Sequence, residues 1–535
     1  MKRWNGWGDE MVVMEMPASA ATYLAQKIGP GTPYPDAAFT DVVARVPPTR
    51  LPAHPLITTD PAERARHARG QSLPDWIAFR SGYIDAFPDG VAYPTSREDV
   101  RALLTFAQEH HINLIPYGGG TSVVGHINPL PSDVPILTIN LSRLNALREL
   151  DEESRLATFG AGILGPDLEA ALHARGYTLG HFPQSFEYAS LGGWVATRSS
   201  GQQSYYYGRI EELFAGAHLE TPVGPLDIHP LPASAAGPDL RHLILGSEGR
   251  LGIITDVTVR IRPLPQTESF HAAFFRDWET GVAAVRDIVQ AKVPLSMLRL
   301  SDAQETEVTL TLSGKEQLLQ WADRGLNLLS YGDERCLLLY GVTGDSRLTA
   351  AALRRANSLI RQHGGLPTGQ TIGKIWEHSR FRNPYLRNTL WEHGYAVDTL
   401  ETAVPWSAVM DTAAALKSAI AAASADAEEQ VLVFAHLSHV YNDGASIYVT
   451  YLFRRNADPA RTLGHWHEMK RRASQEIVAH QGTISHQHGV GMDHAPYLPA
   501  EKGPLGMSVL ENVRRLFDPE GMMNPGKLLA DAEEI

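Results

Sequence analysis

The tightest pattern of apolar and polar positions begins at Val91. VAYPTSREDVRALLTFAQEHHINLIPYGGG sets out a short apolar strand, a Thr/Ser cap, a helix with one apolar face, and a second strand ending in glycine. That order predicts a β-α-β unit. A strand-like stretch follows (VPILTINLS, RLATFGAGI), then the helix LGPDLEAALHARG, a glycine-dotted loop from about 180 to 208, and the strand IITDVTVRIRPLP, which prolines close. From Glu268 helices alternate with strands: GVAAVRDIVQAK, VPLSMLRLSD, KEQLLQWADRGLNLL, CLLLYGVTG, and a helical spacing from Ser346 to Arg361. Beyond these come a helical stretch over 376–395, the helix VMDTAAALKSAIAAA, the strands VLVFAHLS and ASIYVTYLF, a long helix to His480, and a C-terminal helix ending at FDPEGMMNPGKLL. The first 80 or so residues are rich in proline around a helical candidate at 17–27, and read as an arm laid on the body. The fold class is α+β, with boundaries expected at 1–85 (arm), 86–267 (glycine-rich module), 268–480 (a cap whose helices cover an antiparallel sheet) and 481–535 (closing segment).

Composition narrows the partners. The chain has 535 residues, 20% charged and 43% hydrophobic, as in an ordinary globular protein of several domains. A net charge of −13 without a basic run disfavours nucleic acid and broad anionic membrane surfaces. Cys336 is the only cysteine, so no intramolecular disulfide, CxxC motif or cysteine-based zinc site can form, and a reducing cytoplasm fits best. The start MKRWNGWGDE does not read as a signal peptide, DAEEI is not a peroxisomal address, and no apolar run is long enough to span a membrane. Peripheral membrane contact stays open, and a homodimer is expected.

Three loops carry the first chemistry. PYGGGTSVVGH (116–126) follows a strand directly, and consecutive glycines let backbone N–H groups converge on a diphosphate while Thr121 and Ser122 add hydroxyls. It is neither a Rossmann GxGxxG nor a Walker loop. HFPQSFEYASLGGWVATRSSG (181–201) and LGSEGRLGIITDVTVRIRP (245–263) repeat the theme of glycines and small hydroxyl residues before an extended segment. In order and wording these loops resemble the FAD-binding domain of the vanillyl-alcohol-oxidase/p-cresol-methylhydroxylase superfamily. The resemblance implies that Pro116, Tyr117, Gly118, Gly119, Gly120, Thr121 and Ser122 hold the pyrophosphate. It puts Gln184, Ser185, Ser190, Gly193, Ala196, Thr197 and Ser199 along the flavin and ribityl chain, and Glu248, Gly249, Gly252, Ile253 and Ile254 on the adenosine side. Some members attach FAD to a histidine of the glycine loop; here the loop reads GGGTS, and dissociable, non-covalent FAD is expected.

Outside the module, RWNGWG (3–8), PYLRNTLWEHGYAVDTLETAVPW (384–406), SHVYNDGASIY (438–448) and ISHQHGVGMDHAPYL (484–498) together resemble the alkyldihydroxyacetone-phosphate synthase (alkylglycerone-phosphate synthase) family over nearly the whole chain. The resemblance implies that Arg387 binds the substrate phosphate, which suits a planar guanidinium. It also implies that a cluster of three histidines is needed for activity, here His486, Gln487 and His488. At i, i+2 in an extended segment the two histidines are expected to face one ligand and to move protons near neutral pH. Gln487 can hydrogen-bond but cannot carry a proton. The family's NYRG segment, with its candidate acid/base tyrosine, has become LFRRN (452–456); Tyr451 or Tyr448 could stand in, and alternation along ASIYVTYLF leaves open which one faces the flavin. His436 and His439 read as structural or pocket-lining residues, and no metal is expected.

Two reactions follow from these parts. The resemblance implies exchange of the acyl group of acyl-dihydroxyacetone phosphate for a fatty alcohol in ether-lipid synthesis, with oxidised flavin carrying carbon 1 of the substrate. That site needs Arg387, His486, His488 and an apolar tunnel for a phosphorylated, lipid-like molecule. The alternative is a flavin oxidoreductase acting on a small hydroxy acid or glycerol 3-phosphate.

Overall fold

The computed structural model describes residues 2–312, 326, 329 and 331–529; the helix expected over 315–329 falls for the most part outside them. The β-α-β unit forms as the pattern predicts. Ser96 caps Arg97–His110 by accepting from the Asp99 N–H, and Val100, Leu103, Leu104 and Ala107 bury one face of that helix. The flanking strands enter a four-stranded sheet ordered Ile57–Thr58, Gly90–Ala92, Ile136–Asn140, Asn113–Tyr117, whose last three strands run parallel. Parallel neighbours need a crossover, and the helix supplies it.

The second half of the glycine-rich module is a five-stranded antiparallel sheet ordered Leu147–Asp151, Leu156–Gly160, Ile253–Arg260, Phe214–Thr221, Gly224–Ile228. The glycine-rich loops border the space beside these two sheets.

The cap is built on a seven-stranded antiparallel sheet ordered Leu366–Gly369, Thr267–Phe275, Cys336–Gly344, Met297–Ser301, Val431–Val440, Gly444–Arg454, Tyr395–Pro405. One face packs against the helices Trp278–Gln290, Ser346–Gln362, Val409–Asp426 and Pro459–Ala479 in a continuous apolar core. Period-two alternation sends every other side chain to the opposite face. Leu338 and Tyr340 join the core, whereas Leu337 and Leu339 face the glycine-rich module.

The arm is ordered by long-range contacts. A short hairpin pairs Lys2 with Asp9. Asn388, in the helix Asn383–Glu392, accepts from the Trp7 N–H at 3.1 Å and donates to the Trp7 carbonyl at 3.0 Å. Lys2 donates to the Gly119 carbonyl, so the hairpin also touches the first glycine loop. At the other end, buried Arg250 donates to the carbonyls of Met523 and Asn524, tying the chain's closing segment to the third loop.

Candidate functional site

A cavity of about 830 Å³ lies between the three glycine-rich loops and the open face of the cap sheet. All the residues that sequence assigned to the cofactor border it except Ile253, whose side chain is fully buried in the core behind the four-stranded sheet. Alternation explains the correction, because Ile254 takes the cavity side.

The loops are built as a backbone cradle. A Cβ on Gly119 would run into the Tyr188 carbonyl, one on Gly118 into the Ser190 hydroxyl, and Gly120 has φ +72°. Glycine is therefore required by the packing of one loop on the next. Gly193 is different: a Cβ there meets only the Ser190 hydroxyl, at 3.1 Å, and otherwise points into open cavity. These features fit a long polyanionic cofactor held through main-chain N–H groups. Gly193→Leu is accordingly expected to abolish FAD retention with little change in melting temperature, read from the flavin absorbance of purified protein. Full flavin content in that variant would place the isoalloxazine elsewhere.

Glu248 borders the cavity and has a second use as well. Its carboxylate accepts from the N–H groups of Val490 (2.5 Å) and Gly491 (2.8 Å), so the third glycine loop anchors the histidine segment. His126 lies beside it, with Nδ1 2.8 Å from the Ser122 hydroxyl and Nε2 3.2 Å from Glu248.

Arg387 projects from the helix Asn383–Glu392 to the cavity wall. Its guanidinium stacks on Trp76 at 4.3 Å and Nη1 donates to the Gln71 carbonyl, while Nε and Nη2 have no hydrogen-bond partner among the described residues. Burial lowers its pKa to about 10, against the pull of Asp398 and Asp75. A buried cation short of acceptors favours an incoming anion.

The two histidines do not address one ligand. His488 and Gln487 border the cavity, whereas His486 turns away from it. Arg209 and Tyr441 take its Nε2, at 2.8 and 2.6 Å, and Arg209 also donates to its carbonyl. His439, half-buried with φ +64°, stacks on the His486 ring at 5.2 Å. The segment is not a strand; Gly489 and Gly491 both adopt positive φ, so the i, i+2 rule for extended chain does not apply. Both rings converge instead on Glu401, a buried carboxylate 3.4 Å from His488 Nδ1 and 3.8 Å from His486 Nδ1. Burial, first of all, lowers the pKa of both histidines, while Glu401 opposes the shift.

Of the two tyrosines, Tyr448 faces the cavity and Tyr451 lies in the core on the far side of the sheet, donating to Asp398 at 3.2 Å. Tyr448 donates to Thr399 at 3.1 Å, packs edge-on to His488 at 5.8 Å and stacks on His436 at 4.9 Å. His436 borders the cavity with Nδ1 3.0 Å from Glu305, which also pairs with Arg299 at 2.7 Å. Among the described residues, no cluster of three or more His, Cys, Asp or Glu is placed to hold a metal.

Away from the glycine loops the wall carries charged and polar side chains, among them Arg299, Glu305 and His436, and beside them two apolar stretches. One wall comes from a cluster containing Phe274, Leu337, Leu339 and Trp376, the other from a separate cluster containing Leu24, Val308, Leu390, Phe434 and Leu452. The gap between two clusters that do not merge is room for a hydrocarbon chain.

Comparison with known proteins places these parts together. The family model for the C-terminal domain of FAD linked oxidases matches residues 264–528, and that for the FAD binding domain matches residues 88–226. An alkyldihydroxyacetonephosphate synthase of Dictyostelium discoideum is 30% identical over 482 residues, covering 89% of this chain and 79% of that protein. The Trypanosoma brucei brucei protein of the same name is 27% identical over 571 residues, 98% of this chain and 92% of its own. A solved alkyldihydroxyacetonephosphate synthase structure superposes with a TM-score of 0.85 at 26% identity, covering 98% of both chains.

Proposed function

Since the chain belongs to the alkyldihydroxyacetonephosphate synthase family and is an FAD-dependent enzyme, we propose that it replaces the acyl group of acyl-dihydroxyacetone phosphate with a fatty alcohol in ether-lipid synthesis. The observation that carries this reading is one cavity joining the glycine-loop cradle, the under-satisfied guanidinium of Arg387, the His488 ring and an apolar chamber. A small hydroxy acid needs no such chamber.

When bound, FAD supplies an electrophilic ring that accepts a carbon nucleophile without net oxidation. The protein's own residues do the rest. Arg387 neutralises the substrate phosphate and fixes the head of the molecule. His488 takes the proton from carbon 1, with Tyr448 alongside as a hydroxyl that donates or accepts. The apolar walls hold the acyl or alkyl chain and keep water from the reacting carbon. The FAD is taken to be dissociable, because the first glycine loop reads GGGTS, with no histidine or cysteine among its glycines.

We divide the chain into a flavin module over 86–267 and a substrate cap over 268–480, flanked by the arm and the closing segment. Cys336 is buried, in keeping with the reducing cytoplasm where we place a homodimer. No helix of the described residues is long and apolar enough to cross a membrane, and the reading needs no more than peripheral contact with one.

The test is anaerobic mixing with acyl-dihydroxyacetone phosphate and a labelled fatty alcohol while the flavin spectrum is followed. Incorporation of label with no lasting loss of oxidised flavin is the expected result. Persistent bleaching by a hydroxy acid or glycerol 3-phosphate, with no label incorporated, would replace the synthase with an oxidoreductase.

A further inference from the structure

The histidine segment is held by a residue of the 384–406 stretch to which the sequence assigned no role. Glu401 sits in the middle of the strand Tyr395–Pro405 with its side chain fully buried. Its Oε1 accepts from the backbone N–H groups of Gln487 at 2.7 Å and His488 at 2.8 Å. The same oxygen lies 3.4 Å from His488 Nδ1. Oε2 lies 3.8 Å from His486 Nδ1, and among the described residues neither atom of that pair has a hydrogen-bond partner. A carboxylate taken out of water is strongly unfavourable unless compensated. Here the compensation comes from two main-chain donors, the Ser485 hydroxyl at 3.5 Å and two nearby imidazoles, all on the histidine segment.

We propose that Glu401 is a positioning residue for the reaction: it turns His488 Nδ1 inward, leaving Nε2 for the cavity, and stabilises the imidazolium that forms there. This rests on the synthase reading of the preceding subsection. The step assisted is one proton transfer: the C–H bond breaks, an N–H bond forms at Nε2, the electron pair stays on carbon, and Glu401 gains no proton. The logic is that of a buried carboxylate behind a catalytic imidazole, which fixes the tautomer and pays no reorganisation when charge appears.

The groups facing His488 define the pH argument. Burial depresses its pKa most; Glu401 and Asp398 raise it, Lys470 and His126 lower it, and Tyr448 covers one ring edge. Removing the charge of Glu401 must then lower the His488 pKa further. Activity that needs neutral His488 is lost as pH falls through that pKa, so the acid limb of kcat/KM moves to lower pH. The plateau falls as well, because a weaker base drives the transfer less.

Glu401→Gln keeps an oxygen for the two N–H groups and removes the charge. Expected are retained FAD, a plateau exchange rate on the order of 10- to 100-fold lower, an acid limb at lower pH, and partial recovery in Glu401→Asp. NMR titration of isotope-labelled histidine, with His488 assigned through His488→Asn, reads the same shift without catalysis. An unmoved His488 titration in FAD-loaded Glu401→Gln overturns the proposal and leaves Glu401 as scaffolding. A moved titration in a protein whose wild type exchanges nothing would instead sink the synthase reading and keep the pairing. Should Glu401→Gln fail to hold FAD, wild type and Glu401→Gln are both titrated without FAD, where an unmoved His488 value overturns the proposal.

Discussion

Arg387→Ala should lower kcat/KM for a phosphorylated substrate by about 30- to 1,000-fold, equivalent to about 2–4 kcal/mol of lost transition-state binding. The guanidinium is already fixed by Trp76 and the Gln71 carbonyl, so little ordering remains when an anion arrives. Its Nε and Nη2 have no acceptor among the described residues until then. FAD content should stay at the wild-type level, since the residue belongs to none of the three glycine loops. Arg387→Lys should recover only part of the loss, because an ammonium cannot offer two parallel N–H groups. Steady-state kinetics with phosphorylated substrate and its dephosphorylated counterpart make the check. Equal losses on both would assign Arg387 to packing rather than phosphate recognition.

His488→Ala is expected to reduce exchange by roughly 100- to 10,000-fold, the usual range for deleting a general base. His486→Ala should act differently, although the sequence pairs the two residues. His486 holds Arg209 and Tyr441 and does not border the cavity, so its loss should show first as a lower melting temperature and weaker FAD retention. Gln487 does border the cavity, and Gln487→His should raise exchange by adding a group that titrates near neutrality. Comparing label incorporation with thermal midpoints separates the two histidines. Identical losses of rate at unchanged stability would mean that both rings act as proton carriers.

Much of the architecture was legible because it rests on local periodicity. The glycine loops, the capped helix Arg97–His110 and the alternating cap strands each follow from neighbours within a few positions. The segment around Arg387 singled that residue out, and it stands at the cavity wall. The choice between Tyr448 and Tyr451 was not legible, because alternation gives two faces and says nothing of which one is covered by helices. Ile253 was misplaced for the same reason. The opposed facing of His486 and His488 depends on Arg209 and Tyr441, at sequence distances of 277 and 45 positions, and on positive φ at Gly489 and Gly491. Glu401 did leave a trace: a lone glutamate at a buried register of DTLETAVP. A charge placed there demands a partner, but the strand alone cannot name it.

The clasp between Trp7 and Asn388 bridges 381 positions of sequence. During synthesis the arm meets nearer partners first, Arg80 at the Asn5 carbonyl and Gln71 at the Gly6 carbonyl, and this clasp is added once the helix Asn383–Glu392 has been made. The wall that carries Arg387 exists only after that helix, so the pocket is completed late, whenever the vitamin-derived cofactor is supplied. Closing so long a loop is entropically slow compared with forming the β-α-β unit. Loading with flavin is therefore an event of the finished chain, and the ribosome-bound nascent protein is expected to be colourless.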